Sequence, residues 1–256
     1  VIPVERQRTI LRVLAEQGTA SIADLVTLLD VSHMTVRRDI ATLEAQGRVS
    51  SVSGGVALPS RLALDDSHAT KAELRPGEKR AIARRAAEFV GPGNLVFLDA
   101  GTTTLAIAEE IADRADLVVV TNDLVIARLL AERSTSELYL AAGQVDRANL
   151  STEGELVADA IGRFNIDVAF LSTPAFDARG TSIASAAKRT VKDAIVDHAT
   201  TTYLVTDSSK YGRVMAHRSV KLGRFEALIT DSGLSEAARD SLREAGLKVV
   251  LVDPAD

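Results

Sequence analysis

Apolar residues recur at helical spacing in three short segments at the start of the chain. Residues 4–17 place Ile10, Leu11 and Leu14 on one side, and Gly18 ends the run. Ser21 and Asp24 form an S-x-x-D capping box for a second helix, whose apolar face is Ile22, Leu25, Val26 and Leu29. After the turn Asp30-Val31-Ser32, a third helix capped by Ser32 runs to about Gln46 and stops at Gly47. Its inward positions are Val36, Ile40 and Leu43. The alternating run Arg48 to Ser53 before Gly54-Gly55 predicts a small β-hairpin. Three helices and a hairpin make a winged helix-turn-helix of residues 1–57.

Residues 58–76, with Pro59, Ser60, Asp65, Asp66, Ser67 and Pro76, read as a linker with a short ordered stretch. From residue 77 to residue 256 the texture is different. Helical segments (78–90, 104–113, 123–132, 186–198, 235–245) alternate with aliphatic runs (95–99, 117–121, 137–141, 167–172, 202–206, 227–230, 248–252). Runs nearly continuous in Val, Leu and Ile are those of parallel strands buried on both faces. The fold class is therefore α/β: the winged helix-turn-helix, then an open, mostly parallel sheet with helices on both sides. Ligands of such sheets sit beyond the C-terminal ends of the strands.

Composition narrows the chemistry. The 256 residues contain no Cys, which excludes disulfides, thiolate metal sites and a cysteine nucleophile. The four His (His33, His68, His198, His217) are scattered without metal-ligand spacing, so neither a metal nor a cofactor is expected. No apolar run approaches the ~20 residues of a membrane span, and no signal peptide opens the chain. A cytoplasmic protein is expected. The net charge of -5 argues against a surface coated in nucleic acid. Residues 1–57 are neutral, with six Arg against six acids, so any DNA contact has to come from local clustering of Arg.

That clustering falls on the third helix. Opposite Val36, Ile40 and Leu43 lie Met34, Arg38, Ala41 and Thr42, flanked by Thr35 and Arg37; Ser32, His33 and Met34 form the N-terminal end, the part that reaches base edges. One Arg can hold phosphate while the other forks onto guanine. A plain surface helix, with Arg37 and Arg38 paired to Asp39 or Glu44, is the competing reading. The candidate DNA-reading residues are Ser32, His33, Met34, Thr35, Arg37, Arg38 and Thr42. In the larger domain, a strand ending at Asp99 turns through Gly101, Thr102, Thr103 and Thr104 into a helix. Its N–H groups and hydroxyls favour a phosphate or carboxylate. Thr121, Asn122, Gly143, Asp207 and Lys210 end neighbouring segments on the same rim, with Lys79 a further candidate. Lys210 would supply a cation, and Asp99 or Asp207 would accept from sugar hydroxyls.

The stretch Val31 to Ile40, with Leu43-Glu44 and Gly47, resembles the DNA-binding signature of DeoR-type transcriptional regulators, and Glu5-Arg6-Gln7 with Ile10-Leu11 fits the same pattern. The likeness continues through Lys79 with Ile82-Ala83, Leu98 to Thr103, Val120-Thr121-Asn122, Asp167 to Phe170, Thr206 to Lys210 and Ile229-Thr230-Asp231. The resemblance implies a repressor of a carbohydrate catabolic operon. Its partners would be double-stranded operator DNA and a phosphosugar effector, the latter held in a domain similar to ribose-phosphate isomerase-like enzymes. It would be a homo-oligomer, dimer or tetramer, with no membrane partner. The sequence departs from the family at Ser51 and Ser53, where an Arg and a His are usual in the wing, at Ala142-Gly143 and at Ser172-Thr173-Pro174. These last two alter the expected pocket, so the effector's identity does not carry over. The alternative is a sugar-phosphate isomerase with an appended DNA-binding module, using Asp99, Asp167, Asp207 and Lys210 as acid–base groups.

Overall fold

A computed structural model describes residues 2–17, 19–52, 55–58 and 65–254. The N-terminal elements are α1 (Pro3–Gln17), β1 (Thr19–Ser21), α2 (Ile22–Leu29), α3 (His33–Ala45), β2 (Ser50–Val52) and β3 (Gly55–Ala57). Ser21 caps α2 by accepting from the Asp24 N–H at 3.0 Å, and Ser32 caps α3 by accepting from Thr35 at 3.2 Å. Ile10, Leu14, Leu25, Leu29, Val36, Ile40 and Leu43 pack into one core with Val49 and Val56. The predicted hairpin is part of a larger sheet, because β1 pairs antiparallel with β3 to give the order β1-β3-β2. A three-residue strand is too short for alternation to reveal. The stop at Gly18, the hairpin residues Ser53 and Gly54, and the linker residues 59–64 lie outside the described residues.

The remaining elements are α4 (His68–Glu73), α5 (Pro76–Ala87), β4 (Leu95–Leu98), α6 (Thr102–Ile111), β5 (Val118–Thr121), α7 (Leu124–Arg133), β6 (Glu137–Leu140), β7 (Gln144–Asp146), β8 (Ser151–Glu153), α8 (Glu155–Ile161), β9 (Ile166–Leu171), β10 (Ala175–Asp177), β11 (Gly180–Ile183), α9 (Ala186–His198), β12 (Ala199–Val205), β13 (His217–Arg218), β14 (Ala227–Asp231), α10 (Glu236–Glu244) and β15 (Lys248–Val252). Seven strands form one parallel sheet in the order β15-β14-β12-β9-β4-β5-β6. Each corresponds to one of the aliphatic runs. Helices α5, α6 and α7 cover one face around Ile82, Ile107 and Ile126, while α8, α9 and α10 cover the other around Ile161, Ile195 and Leu242.

From β4 the chain first winds outward to β5 and β6, then returns to β9 and winds the other way. The switch point is therefore between β4 and β9, where the connections diverge and leave a crevice. Beyond the strand ends this crevice is walled by the β7–β8 hairpin, by α4 and by the small antiparallel sheet β10-β11-β13. Part of the expected linker thus belongs to the wall: Asp65 pairs with Lys71 at 2.5 Å and with Lys188 of α9 at 2.9 Å. Among the described residues no helix is long and apolar enough to cross a membrane.

Candidate functional site

On α3 the side chains of Val36, Ile40 and Leu43 are buried, while Ser32, His33, Met34, Arg37, Arg38 and Thr42 are exposed. Thr35 is half-buried, and its hydroxyl lies 3.0 Å from that of Ser32, so this pair forms the cap. The Thr42 hydroxyl donates to the Arg38 carbonyl at 3.0 Å. His33, Met34, Arg37 and Arg38 are left as the forward side chains, with Met34 73% exposed. The acids that could have neutralised the arginines are engaged elsewhere. Asp39 is buried against Arg6 at 2.6 Å, and the Glu44 carboxylate is taken up by the Ser51 N–H at 2.8 Å. Arg37 approaches only Glu236 of α10, at 3.9 Å.

The second candidate is a cleft of about 210 Å³ over the switch point. Of the residues expected on its rim, Asp99, Gly101, Thr102, Thr103, Asn122, Asp207, Lys210 and Lys79 line it. Three expected residues do not. Thr104 is buried with its hydroxyl donating to the Gly101 carbonyl, and Thr121 donates likewise to Leu98, each at 2.7 Å. Gly143 is packed under α8, where a Cβ would lie 2.4 Å from Val157. Two backbone donors of the turn are also taken, Ala100 N–H by Asn122 and Gly101 N–H by Asp123, both at 3.0 Å. The N–H groups of Thr102, Thr103 and Thr104 remain, in the first turn of α6, where an α-helix supplies no carbonyl partner.

The charges of the cleft were only partly legible. Its lining carries seven cations (Lys71, Arg75, Lys79, Lys188, Lys192, Lys210, Arg213) against four carboxylates (Asp65, Asp99, Glu153, Asp207), a positive excess in a protein of net charge -5. One oxygen of Asp99, Oδ2, accepts from Lys192 and from the Ser172 N–H at 2.9 Å. Asp207 caps the turn Ser208–Lys210 through the Ser209 N–H at 3.1 Å, and Arg75 lies 3.7 Å away. Burial holds the Lys79 ammonium below the ordinary lysine range, against the pull of Asp207. On the opposite wall, burial opposes ionisation of Asp65, but Lys71 and Lys188 outweigh it and keep the carboxyl below its usual range. Sequence reasoning missed Lys71, Lys188, Lys192, Arg75 and Arg213, while Ser172 entered only as a departure that alters the pocket. Lys192 did leave a signal, lying three and four positions before Ile195 and Val196 on the buried face of α9.

The two candidates touch. Glu44, near the C-terminal end of α3, is 1% exposed. Its carboxylate accepts from the Ser51 N–H at 2.8 Å, from the Ser51 hydroxyl at 3.0 Å and from the Tyr211 hydroxyl at 2.7 Å. Ser51 is thus buried inside this contact rather than turned toward DNA. Beside it the Ser50 hydroxyl donates to the Gly212 carbonyl at 2.9 Å. Gly212 has φ +78°, and a Cβ there would meet Ser50 at 2.7 Å, so only glycine fits. Tyr211 directly follows Lys210, so one short segment runs from the cleft to Glu44 of α3.

Residues 6–61 match the model of the DeoR-like helix-turn-helix domain, and residues 75–232 that of the DeoR C terminal sensor domain. An uncharacterized HTH-type transcriptional regulator of Haemophilus influenzae is 42% identical over 98% of each chain. The glycerol-3-phosphate regulon repressor of Escherichia coli K12 is 31% identical, covering 89% of this chain and 90% of that one. Ribose 5-phosphate isomerase A from Methanocaldococcus jannaschii aligns with a TM-score of 0.37 at 15% identity, over 54% of this chain and 53% of the other.

Proposed function

The chain belongs to the DeoR family of transcriptional regulators, and from that premise we propose that residues 1–57 read operator DNA, 58–76 link, and 77–256 bind a phosphorylated sugar that controls the reading. The observation that carries the effector class is the surplus of cations in the cleft beside the first turn of α6, the arrangement that favours a phosphate. The relative named for the glycerol-3-phosphate regulon supports the same class. On the DNA side, α3 enters the major groove with His33, Met34, Arg37 and Arg38 forward, while Ser32, Thr35 and Thr42 hold the helix end and its backbone.

The protein is a regulator and not an enzyme, in keeping with its family and relatives. Asp99 is tied to Lys192, and Asp167 accepts from the Leu95 N–H at 2.7 Å, at the opposite end of the sheet from the cleft. Control is then a matter of linkage: an effector shifts operator binding only by its differential affinity for the two arrangements of head and sensor. The segment from Asp207 to Gly212 is one physical connection, and the contact of α3 with α10 is another.

Selection from a random duplex pool by the full chain supplies a binding sequence. Arg38→Ala should then weaken binding roughly tenfold or more, because a bidentate base contact is worth ~1–3 kcal/mol. Its unfolding temperature should not change, since the side chain is exposed. Unchanged affinity would remove Arg38 from the reading face. Repeat operators need paired heads, so the working form is a cytoplasmic dimer or tetramer joined mainly through the sensor. Light scattering on the purified chain should give two or four times 27.2 kDa; a monomer at operator-binding concentrations would contradict this.

A further inference from the structure

Most polar side chains at the cleft's outer end, where the β7–β8 hairpin stands, are already satisfied by protein. Asn122 accepts from Ala100 and donates to the Thr152 carbonyl, each at 3.0 Å. Asn149 accepts from Lys71 at 2.6 Å and donates to Asp146 at 2.9 Å. The Thr152 hydroxyl donates to Ala141 at 2.6 Å, and Asp65 is answered by Lys71 and Lys188. Two side chains in this lining differ. His68 is 91% buried, and its Nε2 has no partner among the described residues; the same holds for Oε2 of Glu153. A buried polar atom left unpaired costs about 1–3 kcal/mol, so two in one cleft require an explanation.

Both belong to the same end. The His68 N–H is bound to the Ala148 carbonyl at 2.8 Å, within the β7–β8 connection, and Glu153 ends β8. The first turn of α6 follows β4, and the hairpin is tied to the end of β5 through Asp123 and Ser151. One to two strand spacings, ~5–10 Å, separate them. That is the reach of a phosphorylated sugar with its phosphate on α6.

We propose that His68 and Glu153 recognise the hydroxyl-bearing part of the effector, so that the ligand is a phosphate ester of a polyhydroxylated chain rather than phosphate on an apolar group. This rests on the reading of the cleft as the phosphosugar site. The imidazole and the carboxyl can each donate or accept, which suits hydroxyls. Burial pushes the Glu153 carboxyl above the usual carboxylate range, against the opposing pull of Lys188. The phosphate is assigned to the first turn of α6, whose N–H groups favour it.

Calorimetric titration of the full chain with inorganic phosphate, glycerol 3-phosphate, ribose 5-phosphate and glucose 6-phosphate tests the assignment. One ester should bind more tightly than inorganic phosphate to the wild type. His68→Ala and Glu153→Gln should each weaken that ester roughly tenfold, the worth of one or two hydrogen bonds, and leave inorganic phosphate unchanged. Variants that keep the full preference for the ester would overturn the proposal, as would variants that lose both ligands equally. If no phosphate compound binds the wild type, the phosphosugar reading falls with it. Glu153→Gln keeps the side chain's size, so it still reports if His68→Ala folds poorly.

Discussion

Glu44 shows how much one side chain can couple. Burial pushes its carboxyl above the usual range, and the hydrogen bonds from Ser51 and Tyr211 recover only part of that cost. A carboxyl with a raised folded pKa contributes fully below its unfolded value, and the contribution is lost as pH rises through the folded one. The contact between head and sensor should therefore weaken as pH rises above the usual carboxylate range, read as a falling unfolding temperature. Glu44→Gln keeps the shape, removes the titration and should flatten the profile. A wild-type profile already flat above that range would show that Glu44 does not brace the contact. The Tyr211 hydroxyl is pushed far upward, first by burial and then by the Glu44 charge, so it remains a donor throughout.

At the scale of the element, α6 presents its first turn to the cleft. Thr102 is half-exposed there, whereas Thr103 is nearly buried. Thr102→Glu should leave α6 intact, since a carboxylate suits a helix N-terminus. It should weaken a phosphorylated effector roughly tenfold or more by like-charge repulsion while sparing effector-free operator binding. Normal effector release in an anisotropy assay would remove α6 from the phosphate seat. The same scale explains what the sequence made legible. The inner strands of the main sheet announce themselves because burial on both faces demands unbroken runs such as Leu117 to Val120, and the edge strands β6 and β15 carry aliphatic runs although none of their residues is fully buried. The short strands β1, β7, β8, β10, β11 and β13 and the helix α8 do not, being too brief or too polar for a period to emerge. Asp99, Thr102 and Lys210 were readable because they follow strands directly. Lys71, Lys188, His68 and Glu153 come from a linker, a helix and a hairpin, and converge only through tertiary packing.

At the scale of the molecule, the reading helix is flanked by the sensor. Met34, Arg37, Arg38 and Ala41 share a groove of about 230 Å³ with Ala237, Asp240 and Glu244 of α10. Glu236, Asp240 and Glu244 recur at four-residue intervals, so the wall facing the incoming backbone is acidic. Converting all three to their amides should raise operator affinity several-fold at low salt, with the gain shrinking as salt rises. Unaltered affinity at both salt concentrations would mean that α10 stands clear of bound DNA.

The placement of Glu44 at the contact between head and sensor has a consequence for how such proteins diversify. Glu44 lines the same groove as Arg37 and Arg38, so a mutation at either arginine also alters the surroundings of the brace to the sensor. Exchange of whole heads is constrained as well. A head grafted from one relative onto the sensor of another inherits control only if it brings an acceptor for Tyr211 and a small residue against Gly212.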